Sequence, residues 1–195
     1  MEFEVIAKCF PGYLRNDVIK VFDTLDLSSK HEPYKPFDIS FNQETLTIPQ
    51  RIYCDKKQLK KLLKLSQIQQ LIGFCFFSRH HNGYVRERCI RQVLNSKEEF
   101  VAPFIIQLLG EYIVEIIELI YDNRESLGKL GIMKLLKDNP DYYQRTHQRV
   151  YSYWNCYYRR YYPKYKKKVK PTDKSIYDYP GIKMLKFINS EIMQK

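Results

Sequence analysis

Hydrophobic and polar positions alternate in one short stretch of the chain and follow a helical period almost everywhere else. The apolar residues of 37–41 and of 46–48 are spaced two apart, on either side of Asn42-Gln43-Glu44. A period of two around a polar turn predicts a β-hairpin, which Pro49 ends. Because an isolated hairpin is marginally stable in water, we expect helices to pack against it.

Helical periods flank this hairpin on both sides. Pro11-Gly12 precedes an apolar spacing that predicts a helix from about Arg15 to Leu27. From Lys56 onward the pattern is again helical. Ser66 and Gln69 form a capping-box pair, which either starts a second helix there or lies inside one long helix.

The longest apolar period, in residues 105–120, predicts the strongest helix of the chain. Pro103 is expected to start or kink it, and Ser96 with Glu99 predicts a capping box ahead of it. We expect one continuous amphipathic helix that buries Ile113. The apolar stripe consists of Ile105, Leu108, Leu109, Tyr112, Ile113, Ile116, Ile117 and Ile120.

Asn139-Pro140-Asp141 predicts the start of another helix, with Asn as the N-cap, Pro at the first position and an acid near the positive end of the helix dipole. Pro163 is expected to end it, and the spacing from Ile182 to Ile192 predicts a last short helix. The helix that starts at Pro140 has a broad aromatic face, and we interpret its aromatic side chains mainly as core. That face carries Tyr143, His147, Val150, Tyr151, Trp154, Tyr157, Tyr158 and Tyr161.

Two stretches in the middle of the chain resemble HEAT-type helical repeats. Residues 103–111 (PFIIQLLGE) resemble the end of a repeat helix. Residues 82–86 (NGYVR), earlier in the chain, resemble the start of a repeat helix, with Asn for the usual Asp. Residues 111–115 repeat the second spacing, but Glu replaces the Arg. The resemblance covers residues 82–121 and implies antiparallel helix pairs stacked side by side, with one face free for a macromolecular partner. It implies no chemistry.

Together these patterns predict a mainly α fold, an irregular HEAT-like array of antiparallel helices with a small N-terminal β-hairpin. The length of 195 residues fits a single domain, residues 1–195. Its predicted parts are an N-terminal helix and hairpin (1–54), a helical-repeat-like core (55–137) and a basic, Tyr-rich C-terminal part (138–195).

Composition adds a cellular location to this picture. No apolar run reaches the roughly 18 to 20 residues that span a bilayer, and the start of the chain is acidic where a secretory signal would be basic. Five scattered cysteines without a CxxC pair argue against a disulfide framework. We therefore expect a cytoplasmic protein without a membrane span, with most cysteines reduced in the core.

Positive charge is concentrated at the C-terminal end. Residues 138–195 hold thirteen Lys or Arg against five Asp or Glu, so they contribute +8 of the net +11, and they hold 11 of the 17 tyrosines. Lys and Arg neutralise phosphates and aromatic rings stack on bases, but Tyr and Arg also dominate protein interfaces. The partner-binding residues predicted in this part are Arg145, Arg149, Arg159, Arg160, Lys164, Lys166, Lys167 and Lys168.

A second predicted contact region is the corner at Arg79-His80-His81, with Arg86 on the following helix. Polar residues at helix corners often bind partners. The alternative is that Arg79 and one histidine cap the last carbonyls of the preceding helix. The spacing of Cys75, His80, His81 and Cys89 lacks the tight pairs of a structural zinc site, so no metal or other cofactor is predicted.

No frame for a catalytic nucleophile, phosphate loop or dinucleotide site is present, so we predict no catalytic residues and no enzyme. An enzyme acting on nucleic acid around His80 and His81 is the minor alternative. The expected function is an interaction protein that docks a protein partner on its helical surface, such as an immunity or antitoxin protein that neutralises a toxin. The alternative is nucleic-acid binding through the basic, aromatic C-terminal segment. The sequence predicts no oligomeric state.

Overall fold

The computed structural model describes residues 3–25, 35–159 and 175–193, and most of these residues are helical, so the chain is mainly α as predicted. The strands are β1 (Phe37–Phe41) and β2 (Glu44–Ile48). The described helices are α1 (Phe3–Ala7), α2 (Arg15–Thr24), α3 (Leu59–Leu62), α4 (Gln67–Phe77), α5 (Gly83–Val93), α6 (Ala102–Leu109), α7 (Val114–Asp122), α8 (Arg124–Leu127), α9 (Ile132–Asp138), α10 (Pro140–Tyr153), α11 (Ser175–Asp178) and α12 (Pro180–Met193).

The predicted hairpin is confirmed. β1 and β2 pair antiparallel with Phe41 opposite Glu44, and Asn42 and Gln43 form the turn with φ of 48° and 69°. Asparagine tolerates this left-handed region better than most residues, which favours the turn here. The hairpin does not stand alone, because the Thr47 amide donates to the Lys8 carbonyl at 2.8 Å.

The capping box at Ser66 is also confirmed, and it starts a separate helix. The Ser66 hydroxyl accepts from the Gln69 amide at 3.4 Å, and the Gln69 side chain accepts from the Ser66 amide at 3.3 Å. α2 starts at Arg15 as predicted and ends at Thr24, while its predicted end at Leu27 lies outside the described residues.

The predicted capping box at Ser96 is wrong. The Ser96 hydroxyl accepts from the amide of Glu98 at 3.0 Å, two residues on, and a 3-10 turn (Glu99–Val101) comes before α6. A hydroxyl that bonds locally in this way forms a loop turn instead of a helix cap.

The single long helix predicted over residues 105–120 is wrong as well, because α6 ends at Leu109 and α7 begins at Val114. Ile113 is the half-buried N-cap residue of α7, with extended backbone (φ −94°, ψ 105°), and not a core residue. Gly110 disfavours helix, and an ideal Cβ built on it would lie 3.2 Å from Cδ of Arg149. The apolar period continues across this break, so periodicity alone does not reveal it.

The chain divides into two compact units, Met1–Phe104 and Ile105–Lys195, and the division falls within α6. In the N-terminal unit α4 packs against α2 and α5, and Phe10 stacks on Phe104 with ring centroids 5.3 Å apart. In the C-terminal unit α12 packs against α7, α9 and α10. Each unit therefore has its own buried apolar contacts.

Candidate interaction surface

Helix α10 carries two of the predicted partner-binding residues, Arg145 and Arg149. It begins at Pro140 as predicted, with proline in the first turn. The predicted capping role of Asn139 is wrong, since its side-chain amide donates to the Leu135 carbonyl at 2.9 Å. Asn139 thus stabilises the last turn of α9, whose carbonyls have no partner within the helix.

The buried face of α10 differs from the predicted aromatic face. It consists of Tyr142, Thr146 and Val150, which are 4%, 1% and 0% exposed and follow one another four residues apart. Among the described residues of the predicted broad face, only Val150 is buried, and the aromatic side chains are half-buried or exposed. The interpretation of those aromatic side chains as core is therefore wrong.

The chain continues from α10 into a π-helical segment, Trp154–Tyr158, and this segment reaches the break between α6 and α7. The Tyr158 hydroxyl accepts from the Val114 amide at 3.3 Å and donates to the Tyr112 carbonyl. The Tyr158 ring stacks on the buried Tyr179 at 5.4 Å. The Tyr158 hydroxyl thus supplies a hydrogen-bond partner to each of two backbone groups at the break between α6 and α7.

Burial raises the pKa of the Tyr158 hydroxyl, and the nearby carboxylates of Glu115 and Glu118 raise it further, whereas the Val114 amide lowers it. The hydroxyl therefore stays protonated at neutral pH and keeps its donor hydrogen for the Tyr112 carbonyl. Glu115 is exposed, so this part of the molecule presents negative charge as well as positive.

Three tyrosines meet beside this break, and we call them the tyrosine surface: Tyr112, Tyr153 and Tyr157. Their ring centroids lie 6.0 to 6.2 Å apart in all three pairs. Tyr112 is 46% exposed and Tyr157 is 54% exposed. None of the three was among the predicted partner-binding residues, because the sequence placed Tyr112 and Tyr157 on faces interpreted as core.

A second aromatic group lies along α10. His147 stacks on Tyr151 at 4.8 Å and meets the edge of Tyr143 at 6.3 Å, and the Tyr143 hydroxyl donates to Oδ1 of Asn189 at 2.6 Å. Burial lowers the pKa of His147 and raises the pKa of Tyr143 to about 12. Both groups are therefore neutral at pH 7, and this row offers aromatic contact without charge.

The predicted arginines of the C-terminal unit occupy different environments. Arg145 is exposed, and Arg159 is exposed with its guanidinium donating to the Asn155 side chain at 3.2 Å. Arg149 is half-buried beside Gly110 and lies four residues before Tyr153, so it adjoins the tyrosine surface. The other predicted residues, Arg160, Lys164, Lys166, Lys167 and Lys168, lie outside the described residues.

In the N-terminal unit, the predicted corner is mostly interior. Arg79, His80 and Arg86 are at most 1% exposed. Arg79 donates to the Pro49 carbonyl at 3.2 Å and to the Gln50 carbonyl at 2.9 Å, so it binds the chain that follows the hairpin. This burial removes the three side chains from any surface that a partner reaches in this structure.

Arg86 closes the same corner from α5. Its Nη1 donates to the carbonyls of His80 and His81 at 2.8 and 2.9 Å. Both carbonyls lie in the loop between α4 and α5, since α4 ends at Phe77. The alternative in which Arg79 and one histidine cap α4 stays a prediction. Buried guanidinium groups require such hydrogen bonds, because an uncompensated buried charge is costly.

His80 is held as a neutral ring at this corner. Its Nδ1 accepts from the Asn82 amide at 3.0 Å, which leaves the proton on Nε2, 2.9 Å from the Cys54 carbonyl. Desolvation lowers its pKa, and the charges of His81 and Arg86 act in the same direction. The exposed His81 stacks between His80 at 4.3 Å and Tyr53 at 5.2 Å.

The same contacts bear on the metal and thiol alternatives. Both ring nitrogens of His80 already bond backbone groups, and among the described residues no three His, Cys, Asp or Glu side chains gather as metal ligands. Cys75 and Cys89 are buried, and burial raises the pKa of the Cys89 thiol to about 12. A buried, protonated thiol is inert as a nucleophile.

No family model, curated protein or solved structure matches the chain. Among the described residues, every helix is too short or too polar to cross a lipid bilayer. The HEAT-type resemblance stays a prediction.

Proposed function

We propose that this chain is a non-enzymatic interaction protein that docks an acidic protein partner on the tyrosine surface. The observation that carries the proposal is the gathering of Tyr112, Tyr153 and Tyr157 at a helix break, with two of the rings about half exposed. Tyrosines of this kind are typical hot-spot residues, because each presents a large rigid area and a polar tip. Arg149, half-buried beside them, adds the cation most enriched at interfaces.

Charge supports a protein partner over a nucleic acid at this place. Arg145 and Arg159 are exposed, and the chain as a whole carries +11, so an acidic face is attracted. However, Glu115 is exposed and lies near Tyr158, so the described surface has mixed charge. The phosphates of a nucleic acid would be repelled by Glu115, whereas a protein partner can place a cation against it.

The geometry of the rings points the same way. The planes of the Tyr112 and Tyr153 rings are inclined at 67°, and those of Tyr153 and Tyr157 at 35°. These rings contact one another and do not form the row of separate flat platforms on which successive bases stack. Their edges and hydroxyl groups are better suited to a protein surface.

Tyr157→Ala tests this proposal, with Tyr84→Ala as the matched control because Tyr84 is 85% exposed in the N-terminal unit. The tagged full-length chain captures partners from its native lysate after nuclease treatment, and the affinity of the recovered partner is then measured. We expect a stoichiometric protein whose affinity falls by about 30-fold with Tyr157→Ala and is unchanged with Tyr84→Ala. Loss of all partners after nuclease treatment would support the nucleic-acid alternative instead.

Neutralisation of a toxin is the specific form of this function that we propose. An inhibitor of this kind needs a docking surface and no chemistry of its own, and the clustered tyrosines supply such a surface. The test is to express the captured partner alone and together with this chain. Growth arrest that the wild type relieves and Tyr157→Ala relieves poorly would support neutralisation; a harmless partner would contradict it.

A further inference from the structure

A second charged surface lies in the N-terminal unit, on residues that were not among those predicted from the sequence. Residues 55–64 contain five lysines and one aspartate. All five ammonium side chains are exposed, and within the described residues none of them forms an ion pair. We call Lys56, Lys57, Lys60, Lys61 and Lys64 the lysine patch.

The fold holds this patch in one orientation. Leu59 and Leu62 are 5% and 0% exposed and anchor α3 inward. Leu62 packs so closely on α4 that an ideal Cβ built on Gly73 would lie 2.4 Å from its Cδ2. A 3-10 turn, Lys56–Gln58, comes directly before α3. The Asp55 carboxylate accepts from the Lys57 amide at 2.9 Å and fixes the start of this turn. The lysines therefore face outward from a tightly packed base.

One apolar side chain interrupts the patch on its outer side. Leu63 is 63% exposed and continues the helical backbone of α3 (φ −61°, ψ −14°). Residues three and four apart are neighbours on a helix surface, so Leu63 lies beside Lys60. Lys64 follows directly, and the result is an exposed leucine among ammonium groups.

We propose that the lysine patch docks the chain on an anionic lipid surface, with Leu63 inserted among the acyl chains. Basic residues bind acidic headgroups additively, and an apolar side chain gains from burial just below them. A nucleic acid would use the lysines but has no apolar layer for Leu63, and residues 55–64 contain no aromatic ring to stack on a base. The combination of charge and exposed leucine favours lipid.

Vesicle flotation of the full-length chain tests this proposal. The vesicles contain phosphatidylcholine, either alone or with about one third phosphatidylserine. We expect binding to the anionic vesicles only. The K60Q/K61Q/K64Q variant should weaken this binding by about a hundredfold, since each lysine contributes about fivefold. Leu63→Ala should weaken it by about tenfold without a change in charge.

The matched control is K8Q/K20Q/K97Q, which removes the same charge from exposed positions of the same unit. Retained binding by this control supports the patch, and circular dichroism confirms that each variant is folded. If both triple variants lose the same amount of vesicle binding, net charge alone accounts for the binding and the proposal is overturned. Binding to neutral vesicles, or duplex DNA binding that needs the three lysines but not Leu63 while vesicles are not bound, would overturn it as well.

Discussion

Buried polar residues form the corner between α4 and α5, and their role follows from their partners. Arg79 and Arg86 are fully buried, yet each donates to two backbone carbonyls, so the corner binds the chain that leaves the hairpin. The sequence suggested a contact site here because polar residues at helix corners often bind partners. It could not show that Arg79 bonds Pro49 and Gln50, which lie about thirty residues away.

His80 makes the stability of this corner dependent on pH. Its pKa is lowered in the folded protein by desolvation first, with His81 and Arg86 adding to the effect and Asp55 and the Cys54 carbonyl opposing it. In the unfolded chain a histidine titrates near its ordinary value of about 6.5. As the pH falls below that value, the unfolded chain binds a proton that the folded chain does not, so the free energy of unfolding decreases. The decrease is complete below the folded pKa.

Urea unfolding at about pH 7.5 and about pH 5 measures this effect. We expect wild type to be less stable at the lower pH, and His80→Gln to lose part of that difference. His81→Gln is the comparison, since it removes only a smaller contribution to the His80 pKa than burial does, and it should keep most of the difference. If His80→Gln shows the same pH dependence as wild type, His80 is not the responsible group.

At the scale of elements, the sequence predicted the features that residues close together in the chain determine. The hairpin follows from its period and turn residues, and the start of α4 follows from the Ser66 capping box. The break between α6 and α7 was missed because the apolar spacing continues through it and its hydrogen-bond partner, Tyr158, is 44 residues later. The tyrosine surface was missed for the same reason, since that break exposes Tyr112.

Tyr158→Phe tests whether this tyrosine stabilises the break. The variant keeps the ring that stacks on Tyr179 but removes the hydroxyl that bonds Val114 and Tyr112. We expect a loss of about 1 kcal/mol in the free energy of unfolding and faster hydrogen exchange at the Val114 amide. Tyr177→Phe, at a ring that is 55% exposed, should change stability by less than about 0.5 kcal/mol. Unchanged exchange at Val114 would show that the break does not depend on the hydroxyl.

At the scale of the whole molecule, a net charge of +11 attracts any acidic partner, so attraction alone does not identify one. The two surfaces proposed here differ in what accompanies the charge. Clustered tyrosines with mixed charge in the C-terminal unit suit a protein, and an exposed leucine among lysines in the N-terminal unit suits a lipid surface. The segregation of charge was visible in the sequence, but the exposure that separates these surfaces depends on packing.

Salt dependence decides whether the tyrosine surface binds protein or phosphate. Between about 50 and 200 mM salt, a ligand held by six to ten phosphate contacts loses about 10³ to 10⁵ in affinity. A protein docked on Tyr112 and Tyr157 should lose less than about tenfold, because apolar contact is not screened. In titrations of the captured partner, Tyr157→Ala should weaken binding equally at both salt concentrations, and Arg145→Gln should weaken it more at the lower one. A steep loss in wild type together with no effect of Tyr157→Ala would assign this surface to phosphate binding and contradict protein docking.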